Sequence, residues 1–71
     1  MTLEQIAQQA MDYLDSVGVA ADYEINGFEL SISTEIASKT FKPKTAPITY
    51  MDKLTEEAVM KSKVMAWVRV F

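Results

Sequence analysis

Apolar residues recur at steps of three and four from Leu3 to Val17, which collects them on one face of a helix. Thr2 and Gln5 have the spacing of a capping box, in which each side chain satisfies a free backbone donor at a helix start. Gly18 stands where a left-handed residue commonly ends a helix. The pattern therefore predicts a first helix over about residues 3–17.

A different pattern, alternation of apolar and polar residues, flanks Asn26 and Gly27 and predicts a β-hairpin. Asn-Gly favours a type I′ turn, in which both central residues have positive φ. With these two residues as the turn, Ile25 faces Phe28, Tyr23 faces Leu30 and Ala21 faces Ile32, all on one side of the sheet. The other side then receives Asp22, Glu24, Glu29, Ser31 and Ser33.

The alternation weakens after Ser33, where we predict a turn over residues 34–38. Lys39 to Lys42 is predicted to return as a third, edge strand, and Pro43 ends it because proline has no N–H for the ladder. The segment from Pro43 to Pro47 is predicted to be an extended loop, since residues before proline avoid the helical region.

From Thr49 onward the pattern becomes helical again, and we predict a helix from about Tyr50 to Trp67. Five apolar residues can share one face of this helix: Met51, Leu54, Ala58, Met65 and Val68. The alternative is a shorter helix ending near Lys61, followed by a strand through Val70, which the β-branched residues favour. No glycine or proline separates the two pieces, and this favours the continuous helix.

These elements predict a small α+β domain formed by all 71 residues. Its order is helix, β-hairpin, edge strand, helix, in two layers with the helices on one face of an antiparallel sheet. Apolar residues make up 49% and charged residues 24%, the balance of a folded globular chain. A core this small supplies only about 3 to 5 kcal/mol, so a partner or close packing is expected to support it.

The residue inventory argues against catalysis and against metal or cofactor binding. The chain has no cysteine and no histidine, so it lacks a disulfide and the usual ligands of structural zinc. Its only glycines, Gly18 and Gly27, serve backbone geometry, and there is no phosphate-binding loop or serine-nucleophile motif. We therefore expect a non-enzyme with no catalytic residue, no metal and no cofactor, and no small-molecule substrate is evident.

The chain also lacks an apolar run of the 18 or so residues that a membrane span requires. The basic-then-apolar order of a signal peptide is missing as well, so we expect a cytoplasmic protein without membrane contact.

Charge is distributed unevenly although the net charge is only −3. All seven charged residues up to Ser38 are acidic, whereas the seven bases and only three acids follow it. The opposite charges can compensate each other if the two halves face each other within the fold or across a dimer, or a charged partner can compensate them.

Two sets of residues are candidates for partner binding. Five acids form a predicted acidic surface that can imitate nucleic-acid phosphates or dock on a basic protein: Glu4, Asp12, Asp15, Glu24 and Glu29. Glu24 and Glu29 are predicted to lie directly opposite each other, where like charges repel unless a base or cation lies between them. The second set is Trp67, Arg69 and Phe71 in the apolar segment 64–71, which is either an interface or the central buried element.

We therefore expect a small acidic protein-interaction module that binds a larger partner, of the inhibitor or adaptor type found among accessory proteins of phages and mobile elements. The alternative is a structural homo-oligomer, such as a homodimer, that uses the apolar C-terminal segment. Nucleic-acid binding ranks below both. It would use a basic loop with one stacking aromatic, formed by Lys39, Phe41, Lys42 and Lys44, but the net negative charge opposes it.

The segment DYEINGFELSI, residues 22–32, follows an acidic helix and resembles the opening of frataxin-type proteins, whose acidic ridge is associated with iron delivery. The resemblance covers about the first half of the chain. The remaining residues are too few for that family's longer sheet, so no activity is inferred from it.

Overall fold

The computed structural model describes residues 2–43 and 49–71 and confirms the predicted α+β order. The elements are α1 (Leu3–Ser16), β1 (Ala21–Asn26), β2 (Glu29–Thr34), β3 (Ser38–Phe41) and α2 (Tyr50–Val68). The strands form an antiparallel sheet in the order β1-β2-β3, and both helices pack on one of its faces. From residue 44 to Pro47, the predicted extended loop lies outside the described residues.

Both ends of α1 follow from the signals in the sequence. The Thr2 N–H donates to Gln5 Oε1 at 2.8 Å and the Gln5 N–H donates to Thr2 Oγ1 at 3.2 Å, which completes the capping box. At the other end Gly18 has a φ of 78°, and the Val19 N–H donates to the Leu14 carbonyl at 2.8 Å. This is the Schellman pattern that stops a helix.

The hairpin turn lies one residue further along the chain than predicted. Asn26 pairs with Glu29, so Gly27 and Phe28 are the two central residues of the turn. Gly27 has a φ of 60°, and no other residue type has a positive φ among residues 2–43 and 49–71. Glycine with positive φ at the first central position is the mark of a type II′ turn, so the predicted type I′ turn is wrong.

Each β1 residue consequently faces a β2 residue two positions beyond the predicted one. An even shift keeps every side chain on its predicted side of the sheet. Five apolar side chains of the hairpin share the helix-covered face: Ala21, Tyr23, Ile25, Leu30 and Ile32. Phe28 instead belongs to the turn, where it is 42% exposed. Glu24 lies opposite Ser31 rather than Glu29, so the predicted pair of opposed glutamates is wrong.

The core lies between the two helices and the sheet, with β2 as the central strand. Its buried residues come from α1, β2, β3 and α2: Ile6, Ala7, Ala10, Leu14, Leu30, Ile32, Phe41, Met60, Val64 and Val68. β1 contributes only half-buried residues from the edge of the sheet. No polar or charged side chain is buried in the described part of the chain.

The continuous second helix is confirmed, but of the five residues predicted to share a face only Val68 is buried and Met65 half-buried. The helix starts where Thr49 Oγ1 accepts the Asp52 N–H at 3.1 Å. It is buried along Met60, Val64 and Val68, while Met51 is 68% exposed. Nineteen helical residues span about 28 Å, whereas the four residues of β3 span about 13 Å. β3, the strand that α2 contacts, is therefore too short to cover the whole helix, and the residues from Tyr50 to Thr55 are exposed.

The second face of the sheet is polar, and none of the described elements covers it. Its side chains are Asp22, Glu24, Asn26, Glu29, Ser31, Ser33, Ser38 and Thr40. Ser31 Oγ and Thr40 Oγ1 share a hydrogen bond of 2.9 Å across β2 and β3. Across the described ranges, neither helix combines the length and apolar character needed to cross a membrane.

Candidate binding cleft

A cleft of about 350 Å³ lies where the hairpin tip, the start of α1 and the middle of α2 meet. Five apolar residues line it: Leu3, Ile25, Phe28, Pro43 and Met60. The volume is at the small end of the range of about 300 to 1,000 Å³ found for ligand pockets. The cleft is therefore large enough for one bulky group rather than an extended cofactor.

Local structure in three separate elements positions these side chains. The capping box starts α1 at Leu3, which sets the first turn of the helix beside the hairpin tip. The type II′ turn removes Phe28 from the strand ladder, and Gly27 lines the cleft next to it. Met60, only 5% exposed, is the first residue of α2 to enter the core. The floor of the cleft is thus continuous with the core.

The rim of the cleft is acidic. Glu4 projects from α1, Glu56 and Glu57 are half-buried on α2, and Lys53 is the one base among the described lining residues. Three carboxylates against one ammonium favour a cationic group at the rim. Within the described ranges, no three acidic, histidine or cysteine side chains are grouped to hold a metal ion.

The predicted acidic surface is divided between two sides of the molecule. Asp12 and Asp15 lie on the exposed outer face of α1, where Gln8 Nε2 donates to Asp12 Oδ1 at 3.0 Å. Glu24 and Glu29 lie on the uncovered face of the sheet, on the opposite side from α1. The prediction that all five residues form one acidic surface is therefore wrong. Of the five, only Glu4 reaches the cleft.

The aromatic residues of the C-terminal set pack within the chain itself. The Trp67 ring lies edge-on to Phe41 at 5.9 Å and to Phe71 at 5.1 Å between centroids. Trp67 and Phe71 are half-buried against the core, whereas Arg69 and Val70 are exposed. Most of the apolar surface of this segment is thus used inside the fold, as the alternative interpretation expects.

Packing also changes the role available to the predicted basic loop of Lys39, Phe41, Lys42 and Lys44. Phe41 is only 4% exposed, so its ring is not free to stack on a base. Lys39 Nζ lies over that ring, 5.8 Å from its centroid. Lys42 is exposed, and Lys44 lies outside the described residues.

Most of the cleft was missed by reasoning from the sequence. The sequence pattern predicts Ile25 and Phe28 on one side of the sheet, and it gives no signal for Lys53, Glu56 or Glu57 at a site. A type II′ turn, which needs glycine at its first central position, would place Phe28 at the hairpin tip. Gly27 is therefore the local signal that could have predicted this part of the cleft. The approach of α2 to the tip is a long-range contact that no local pattern reveals.

Comparisons with protein-family models, curated proteins and solved structures find no match to this chain. The cleft itself shows what chemistry is available: an apolar floor for a bulky group and carboxylates for a neighbouring cation. Thr2 is the one hydroxyl residue among its described lining, and Thr2 Oγ1 already accepts the Gln5 N–H.

Proposed function

We propose that this protein is a small acidic binding module that docks on a larger protein through the cleft, in the manner of an inhibitor or adaptor. The observation that carries the proposal is an apolar floor bordered by three carboxylates. Such a site takes a segment with a bulky apolar residue next to lysine or arginine. Binding is supported because an apolar floor beside carboxylates offers both contact area and charge complementarity to a partner.

The two parts of the cleft have different roles in this proposal. Burial of the partner's apolar side chain on Leu3, Ile25 and Phe28 supplies affinity, at about 25 cal/mol per Å² removed from water. Glu4, Glu56 and Glu57 attract the neighbouring base, which raises the association rate and selects against acidic segments.

A selection from a random-peptide library tests the proposal. We expect enriched peptides to pair a large apolar residue with lysine or arginine and, on titration into the ¹⁵N-labelled protein, to shift the amides of Ile25, Phe28 and Met60. Phe28→Ser should weaken binding about tenfold or more, because it removes a large part of the apolar floor. Ile36→Ser is the matched control, since Ile36 is also an exposed apolar turn residue and does not line the cleft.

The charge requirement is tested with a second pair of variants. Glu56→Gln with Glu57→Gln removes two carboxylates from the rim, while Asp12→Asn with Asp15→Asn makes the same charge change on the outer face of α1. We expect a loss of about three- to tenfold for the first pair at low salt and little change for the second. Equal losses, or enrichment of acidic peptides, would contradict the proposal.

A further inference from the structure

α2 carries two apolar stripes: one is buried, and the other is exposed except for Met65, which is half-buried against the core. The buried stripe is Met60, Val64 and Val68. The second, here called the lateral stripe, is formed by Met51, Leu54, Ala58 and Met65. Its steps of three, four and seven residues follow the a and d positions of a heptad, with Lys61 at the d position between Ala58 and Met65. The stripe lies about 100° around the helix from the buried stripe.

The lateral stripe is largely exposed where the helix has least support. Every residue from Tyr50 to Thr55 is exposed, with Tyr50 at 75% and Met51 at 68%. Isolated helical segments shorter than about 12 to 15 residues are marginal in water. A half-supported helix with a row of exposed apolar side chains is typical of an interface.

The charges along α2 indicate what covers the stripe. Residues 50–59 hold three acids and one base, namely Asp52, Glu56, Glu57 and Lys53. Residues 60–69 hold three bases and no acid, namely Lys61, Lys63 and Arg69. Glu57 and Lys61 are the oppositely charged pair of α2 that lies beside the lateral stripe, whereas Asp52, Glu56 and Lys63 lie on the far side of the helix. A second copy of α2 in antiparallel orientation brings Glu57 of one copy beside Lys61 of the other, whereas a parallel pair sets each charge level with the same charge of the other copy.

The spacing of the stripe is also self-complementary. Ala58 is seven residues from Met51 and seven from Met65, so an antiparallel pair centred on Ala58 sets each Met51 against Met65 of the other copy. The small side chain at the centre allows close approach of the two helices. A two-fold interface requires this kind of match between one surface and itself.

We propose that the lateral stripe is the interface of an antiparallel homodimer, with Ala58 on its two-fold axis. The inference does not depend on the proposed function. Lys53 and Met60 of the cleft lie on a different side of α2 from the lateral stripe, so both copies keep an open cleft.

Analytical ultracentrifugation over a wide range of concentration tests for the dimer. We expect a reversible monomer–dimer equilibrium whose dissociation constant rises about tenfold or more in Ala58→Glu, because this change places two like charges on the axis. Val59→Glu is the matched control, because Val59 is the next residue, is 43% exposed and lies outside the stripe. Circular dichroism verifies that both variants keep their helices. A monomer at every concentration, or a dimer insensitive to Ala58→Glu, overturns the proposal.

The orientation is tested by cross-linking, since the natural chain contains no cysteine. Met51→Cys and Met65→Cys variants are purified separately, mixed and oxidised. We expect the mixed 51–65 disulfide to dominate and the Met51→Cys protein alone to cross-link poorly. Efficient 51–51 cross-linking shows a parallel pair and overturns the proposed arrangement. The Phe28→Ser test of the cleft lies outside α2, so failure of this dimer leaves its result unaffected and the two proposals can fail separately.

Discussion

At the scale of single residues, the end of α1 depends on Gly18. Its φ of 78° lies in the left-handed region, which costs an L-residue with a side chain about 1 to 2 kcal/mol. A Cβ built at this position meets no described atom within 4 Å. The cost of a side chain here is therefore one of backbone conformation and not of space.

We expect Gly18→Ala to lower the free energy of unfolding by about 1 kcal/mol, and Gly18→Asn by clearly less, because asparagine tolerates the left-handed region. Urea unfolding followed by circular dichroism measures both. Equal stability of the alanine variant and the natural protein would show that α1 does not end in this way.

At the scale of elements, local patterns predicted the existence of each helix and strand. The capping box and the terminal glycine of α1 are complete within a few residues, and so is the alternation that defines the hairpin. The register was not determined by the Asn26-Gly27 pair, because a two-residue turn can begin at Asn26 or at Gly27. The buried face of α2 was not predictable either, since its sequence contains two apolar stripes. The choice depends on which one the sheet reaches.

The hairpin turn can be tested by two alanine variants. In the type II′ turn Asn26 is an ordinary strand residue, so Asn26→Ala should change the free energy of unfolding by less than about 0.5 kcal/mol. Gly27→Ala should cost about 1 kcal/mol, because the φ of 60° at Gly27 suits glycine. A type I′ turn would make both positions sensitive, and thermal or urea unfolding distinguishes the two cases.

At the scale of the whole molecule, the core is small and the acidic and basic residues are unevenly distributed over the surface. Every charged residue before β3 is acidic, whereas β3 contributes Lys39 and α2 carries three bases and three acids. The two halves are packed together inside one fold, because α1 contacts α2 and β2 pairs with β3. Because the helices cover only one face of the sheet, burial of apolar surface contributes little to the free energy of unfolding. A partner that binds the folded state is therefore expected to raise the stability measurably.

The melting temperature should therefore rise with protein concentration, since a dimer stabilises the folded state by mass action. The rise should disappear in Ala58→Glu and persist in Val59→Glu. Differential scanning calorimetry at several concentrations measures it. A melting temperature independent of concentration in the natural protein would contradict a dimer of useful stability.

The strand order β1-β2-β3 also has a consequence for how the chain folds. Each strand pairs only with its neighbour in the sequence, so the sheet forms through short loops with a small entropic cost. Topologies of this kind fold fast, on the order of milliseconds or less. The contact between α1 and α2 joins the elements that are furthest apart along the chain. We expect it to form after the sheet, so that changes on α2 accelerate unfolding while leaving the folding rate almost unchanged.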